Sequence, residues 1–289
     1  MKMENDLKKY FILNFTPTGM IPTRSMTPHV PISPDEIIKD VNAVASLGVN
    51  MVHLHARDPQ TGEPTYKKEI YEKIIAGIRA ENPELIICVS TSGRTFGEFW
   101  QRSECLDITG DLKPDFGSLT LSSLNFNELA SINAPDMIKK LALKMTEKGI
   151  KPEMEVFDLG MINYAKYLIR KGIITPPYYL NFILGNIACA QADLLHLGLL
   201  IKELPERAYW SVGAIGNSQF KMNLLSLIAG GGVRIGLEDN IWFDEQRTKL
   251  ATNTDYVERI LHVAQMLGYE PYPPETLRKV LDVKRETRS

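Results

Sequence analysis

Eight short apolar runs along the chain alternate, at all but one place, with stretches of helical spacing, and that alternation leaves few architectures open. The runs are Tyr10 to Phe15, Val49 to Val52, Leu85 to Val89, Phe116 to Thr120, Pro152 to Phe157, Tyr178 to Leu184, Tyr209 to Val212 and Val233 to Leu237. Between them lie helix patterns, the clearest opening at Ser33-Pro34-Asp35-Glu36. Ser33 can cap, Pro34 suits the first helical position, and Glu36 stands three residues after the cap. Ile37, Val41, Val44, Ala45 and Leu47 then give the apolar face, and Gly48 ends it. Further helices are expected over 66–81, 135–148, 159–171, 190–202, 220–229 and 253–267. Strands alternating with helices build a parallel sheet. Eight such units in 289 residues predict an α/β fold, a closed (β/α)8 TIM barrel spanning 1–289 as one domain with a short C-terminal extension. A doubly wound open sheet is the alternative.

Composition narrows the function classes. The chain is 44% hydrophobic and 24% charged with a net charge of −2, which carries no nucleic-acid footprint. The C-terminal basic residues Arg278, Lys279, Lys284, Arg285 and Arg288 read as a solvated helix end. Cys88, Cys105 and Cys189 are scattered and odd in number, so a reducing, cytoplasmic compartment is expected. The opening MKMENDLKKY lacks the apolar stretch of a signal peptide, and no run is long enough to span a membrane.

Polar residues gather where the strands end. In a closed parallel barrel that is the functional face. The second strand runs into His53-Leu54-His55, whose imidazoles share a face because strand side chains alternate. At about 3.3 Å of rise per residue their Cα atoms lie roughly 7 Å apart, close enough to converge on one ion. Alternatively they are ordinary polar residues where a strand meets solvent. Glu238 follows the eighth strand, and closure places that strand near the second, so the carboxylate can complete a two-His, one-carboxylate set; a surface acid is the other reading. Zinc suits these ligand types, as do iron(II) and manganese. Arg234 lies inside the eighth strand, where a charge needs a partner such as Asp239 or Glu155. That pairing either poises a base and orients substrate or is purely structural. Glu155 sits mid-strand as a partner of a histidine or a group facing substrate, while Glu153, deeper on the same face, suits a structural pairing. Asn181 is a buried amide facing the barrel, a network member or a substrate contact. Gly213 to Asn217 is a glycine-containing turn that could offer backbone N–H groups to phosphate.

HLHARDP, the TPTG end of the first strand, PHVPISPDEI, STSGR, KPEMEVFD and VRIGLEDN, in this order, resemble the β-keto acid cleavage enzymes over about Phe11 to Gly268. The resemblance implies a zinc-bearing (β/α)8 barrel that assembles as a homo-oligomer, with a tetramer favoured. It implies transfer between a β-keto acid and acetyl-CoA, giving acetoacetate and a new acyl-CoA. By the same resemblance His53, His55 and Glu238 bind Zn2+, and Arg234 and Asp239 form the dyad that initiates proton abstraction. Ser90 and a hydroxyl from Thr120 or Ser123 bind the substrate carboxylate or keto oxygen, and Glu155 matches an acid of the family's PE-x-EVFD segment. Relatives that take an amino-bearing keto acid carry an acidic residue just after the strand-one Thr-Gly. Met20-Ile21 stands there instead, which points to a less cationic keto acid, an apolar one included. A metal-dependent amidohydrolase also opens with His-x-His but usually needs further histidines or a lysine at later strand ends, where this chain offers Glu155 and Asn181. A barrel that binds a metabolite without turning it over is the remaining reading.

Overall fold

The computed structural model describes residues 10–285. The reading of the N-terminal segment before Tyr10, and of Arg288, lies outside these residues. Eight parallel strands close on themselves: β1 Leu13–Phe15, β2 Met51–Leu54, β3 Ile86–Val89, β4 Phe116–Thr120, β5 Lys151–Val156, β6 Tyr178–Leu184, β7 Ala208–Ala214 and β8 Gly232–Ile235. The closing seam pairs Val233 with Leu13 and Ile235 with Phe15. The open-sheet alternative is thereby excluded. Around the barrel run α1 Pro34–Ala45, α2 Lys68–Glu81, α3 Phe99–Ser103, α4 Pro135–Glu147, α5 Leu159–Arg170, α6 Leu194–Lys202, α7 Gln219–Ile228, α8 Asn253–Met266 and α9 Pro274–Val280. No helix of the described residues is long and apolar enough to cross a membrane.

Of the boundaries that differ from the sequence reading, two have a direct physical reason. Tyr10–Phe11 leaves the barrel and pairs in parallel with Glu270–Pro271, so the first barrel strand starts only at Leu13. The eighth strand stops at Ile235, two residues early. Gly236 has φ +152°, and a Cβ there would lie 2.1 Å from the Thr16 carbonyl oxygen, so only glycine makes this turn. The α1 capping box forms as expected: the Glu36 amide donates to Ser33 Oγ, and Glu36 Oε2 accepts from the Ser33 amide.

Alternation sorts the strand side chains into a shell and a filling. Outward residues such as Leu13, Val52, Leu54, Ile87, Val89 and Leu180 join the apolar faces of the helices in the main core. The filling is stacked. A lower apolar layer of Met51, Ile86, Phe116 and the Tyr179 ring is plugged from below by Tyr272, Leu277 and Leu281 of the C-terminal segment. Above it comes a fully buried polar layer that includes Asn14, His53, Glu153 and Asn181. The C-terminal extension is therefore a floor. Arg278 is buried, with Nη1 on Asp115 Oδ1 at 3.0 Å and Nη2 on Asp115 Oδ2 at 2.8 Å, which corrects the reading of this residue as part of a solvated helix end, whereas Lys279 and Lys284 are exposed as expected.

Candidate metal and active site at the barrel mouth

The site is built on Glu153, one layer below it. Its Oε1 accepts from Asn14 Nδ2 and Asn181 Nδ2, each at 2.6 Å. Its Oε2 accepts from Cys88 Sγ at 3.1 Å and meets His53 Nδ1 at 2.5 Å. Burial would raise the Glu153 pKa, but the facing His53 outweighs it, and the carboxyl is held below its ordinary value. An ionised acceptor at Nδ1 makes that nitrogen the donor and leaves Nε2 as the nitrogen turned toward His55. The partner that orients the histidine is thus Glu153, which the sequence reading gave a merely structural pairing, and not Glu155.

His53 Nε2 lies 3.2 Å from His55 Nε2, and His55 Nε2 lies 3.3 Å from Glu238 Oε1. Ligand atoms of His53, His55 and Glu238 all fall within 4.8 Å of one another. Glu238 Oε2 is buried without a hydrogen-bond partner among the described residues. Two imidazoles beside a carboxylate that keeps one oxygen orphaned make a donor set that a divalent cation satisfies. Without an ion, burial pushes His53 down, but Glu153 and Glu238 more than offset it and its pKa rises to about 9. Burial keeps His55 below its ordinary value despite Glu238, so this imidazole is neutral and ready to ligate.

Glu238 reaches the histidines because the chain turns back over the mouth. Gly19, at φ +65°, presses on it so closely that a Cβ would stand 2.5 Å from Glu238 Cγ. The buried Arg57 fixes that loop by donating from Nε to the Gly19 carbonyl at 2.9 Å and from Nη2 to the Pro22 carbonyl at 3.0 Å. Arg234 also meets its expected partner. Its Nε donates to Asp239 Oδ2 at 2.9 Å and its Nη2 to Glu238 Oε1 at 2.7 Å. The two carboxylates that share this guanidinium are driven apart. Burial raises both, but Arg234 and the histidines bring Glu238 well below its ordinary value, whereas Asp239, facing that negative neighbour, stays raised. Adjacent residues thus hold one carboxyl below and one above its ordinary pKa.

The remaining candidates divide. Thr120 Oγ1 donates to Glu155 Oε2 at 2.6 Å at neighbouring strand ends, and Ser90 caps β3. The Ser123 hydroxyl accepts from the Asn133 amide at 2.8 Å in an exposed hairpin, and Asn181 is engaged with Glu153 below the mouth. Neither is brought to the His53–His55–Glu238 set. Gly213 is a strand residue flanking the Arg234 side chain, and the Gly216 amide donates to the Asp239 carbonyl at 2.8 Å, so the expected phosphate turn already spends a donor on the protein. Arg24 is exposed and pairs with Glu36.

Fold and site together define a (β/α)8 barrel enzyme with a two-histidine, one-carboxylate centre and an Arg–Asp pair at its mouth. The family model described as beta-keto acid cleavage enzyme matches residues 10–283, and the chain belongs to that family. It is 33% identical over 265 residues to 3-keto-5-aminohexanoate cleavage enzyme of Fusobacterium nucleatum, covering 91% of this chain and 94% of that protein. It is also 33% identical over 261 residues to 3-oxoadipate:acetyl-CoA acetyltransferase of Cupriavidus necator, covering 89% of each. The ternary complex of ObcA with C4-CoA adduct and oxalate superposes with a TM-score of 0.76 at 19% identity, over 89% of this chain and 68% of that one, a likeness of fold.

Proposed function

We propose that the protein transfers an acyl group between a β-keto acid and acetyl-CoA, giving acetoacetate and a new acyl-CoA, with Zn2+ held by His53, His55 and Glu238. The observation that carries this reading is the convergence of His53, His55 and Glu238, whose Oε2 is orphaned among the described residues, beside a carboxyl, Asp239, that burial and Glu238 raise above its ordinary value. The bound ion would act as a Lewis acid, favouring negative charge on the keto and carboxylate oxygens of a β-keto acid. Asp239, held by Arg234, takes a proton from the carbon between keto and carboxylate groups. The resulting carbanion attacks the acetyl-CoA carbonyl and expels the CoA thiolate. The thiolate then attacks the original keto carbon, the bond to the central carbon breaks with its electron pair left on that carbon, and the proton held by Asp239 returns there, releasing the new acyl-CoA and acetoacetate. Ser90 and the Thr120–Glu155 pair hold the substrate oxygens at the rim.

The keto acid is not cationic. Met20 and Ile21, in the loop held by Arg57, supply no acid for an ammonium group, and Ile21 is exposed. The buried, free thiols of Cys88 and Cys105 fit a reducing cytoplasm. The exposed Leu194 and Leu195 of α6 favour a homo-oligomer, with a tetramer as the proposed count.

The test pairs metal analysis with product detection. About one zinc per chain is expected, together with acetoacetate formed from acetyl-CoA only when a β-keto acid is present, and His53→Ala should lose both. Stoichiometric metal without acyl transfer on any keto acid would overturn the reaction, and absence of metal would overturn the centre.

A further inference from the structure

Each buried arginine around the mouth has its acceptors in the protein. Arg234 has Glu238 and Asp239, and Arg57 has the carbonyls of Gly19, Gly62 and Pro22. Arg102 has the Thr91 and Ile132 carbonyls and Asn133 Oδ1. Arg94 differs. It is half-buried, yet among the described residues its guanidinium has no hydrogen-bond or ion-pair partner. Instead Cζ lies 3.4 Å from the centre of the Phe126 ring. A guanidinium stacked this way has one face covered and its edge N–H donors free, in the fork geometry that matches a carboxylate.

The placement is built. Arg94 sits on the turn that leaves β3, just beyond Ser90. Arg102 fastens that turn, through the Thr91 carbonyl, to Ile132 and Asn133 beyond the hairpin that carries Phe126. Gly93 packs against the clamp so tightly that a Cβ would lie 2.5 Å from Arg102 Nη1. Phe126 is held edge-on against Phe157 at 5.9 Å. Burial lowers the Arg94 pKa, while Glu238, Glu155 and Asp239 push it the other way, so the cation lies within the field of the reacting groups.

Resting on the function proposed above, we infer that Arg94 selects the substrate's side chain: it binds a second carboxylate, and the preferred substrates are β-keto diacids. The absence of an acid at Met20-Ile21 and a guanidinium at Arg94 without a hydrogen-bond or ion-pair partner among the described residues point the same way, toward an anionic rather than a cationic side chain.

The matched pair of 3-oxohexanoate and 3-oxohexanedioate isolates this carboxylate at constant chain length. For Arg94→Gln, kcat/KM on the diacid should fall by about 10- to 100-fold and on the monoacid by less than about threefold, since a charge-assisted hydrogen bond made to one substrate alone discriminates by that order. Arg94→Lys should recover part of the loss. Equal losses on both substrates would overturn the inference, because Arg94 would then serve a part they share. A raised KM for acetyl-CoA but not for acetyl-pantetheine would also overturn it, by assigning the cation to a CoA phosphate. Should wild type convert neither keto acid, the function proposed above fails separately. Calorimetric binding of unreactive hexanedioate then decides: weakening in Arg94→Gln supports the diacid site, and unchanged binding sinks it.

Discussion

The two ends of the barrel each bury a cluster of opposite charges, and they differ in whether the acceptors are used up. At the floor, both Asp115 oxygens are taken, by Arg278, by Arg79 Nη2 at 3.2 Å and by the Ile87 amide at 2.9 Å. At the mouth, Glu238 keeps a buried oxygen without a partner among the described residues, and Asp239 is raised by burial and by its neighbour's charge. A cluster whose carboxylate is saturated holds elements together. One with lone pairs left over is arranged for something that arrives later, an ion or a proton. Donors tell less: among the described residues Arg79 Nε at the floor and Arg234 Nη1 at the mouth both lack acceptors.

The sharpest way to break this contrast is Asp239→Asn. The amide keeps an oxygen for Arg234 but cannot take a proton, so kcat should fall by roughly 10² to 10⁴ while metal content stays near wild type. A rate within about threefold of wild type would make the mouth cluster as structural as the floor.

Arg278→Ala probes the other end. It leaves Asp115 with fewer donors, removes the bond to the Glu84 carbonyl at 2.8 Å and loosens the C-terminal plug. Breaking a buried pair from one side costs about 3 to 5 kcal/mol. Chemical denaturation should report a loss of that order, with kcat below the transition within about twofold of wild type. A fall in kcat without loss of stability would erase the distinction.

Glu153→Gln has the smallest expected effect and tests the layer between. Its amide can place an N–H against His53 Nδ1, favouring the tautomer with the proton on Nε2, the nitrogen meant for the ion. Metal affinity should drop by about 10- to 100-fold, the usual cost of losing a partner that orients a ligand. Titration with a competing chelator measures it, and unchanged affinity would show that the Glu153 side chain only fills space.

Much of the site was legible because alternation and strand ends are local properties. His53 and His55 share a face by the two-residue period, and Arg234 and Asp239 pair across a short stretch of chain. Placing Glu238 required the expectation that the sheet closes, and closure does bring its strand round toward the histidines. Depth along the barrel axis was not legible. Glu153 and Glu155 lie on one face of one strand, and only the register with β6, pairing Glu153 with Tyr179 and Glu155 with Asn181, fixes which acid stands level with His53. Ser123 and Thr120 looked equivalent as hydroxyls near a strand end, until the hairpin after β4 engaged one and left the other at the rim.

The sequence by itself determined the alternating elements, the faces of the strands, the capping box of α1 and the donor types gathered at the strand ends. These follow from periods of two and 3.6 residues and from side-chain chemistry. The tertiary structure decided which carboxylate is saturated and which is open, because that depends on residues far apart in the chain meeting one another. Glu153 meets His53 across 100 positions, and Arg278 meets Asp115 across 163. Gly19 presses on Glu238 only because the barrel is closed. No local pattern encodes such a pairing; it exists only after the strands have chosen their register and the ring has shut.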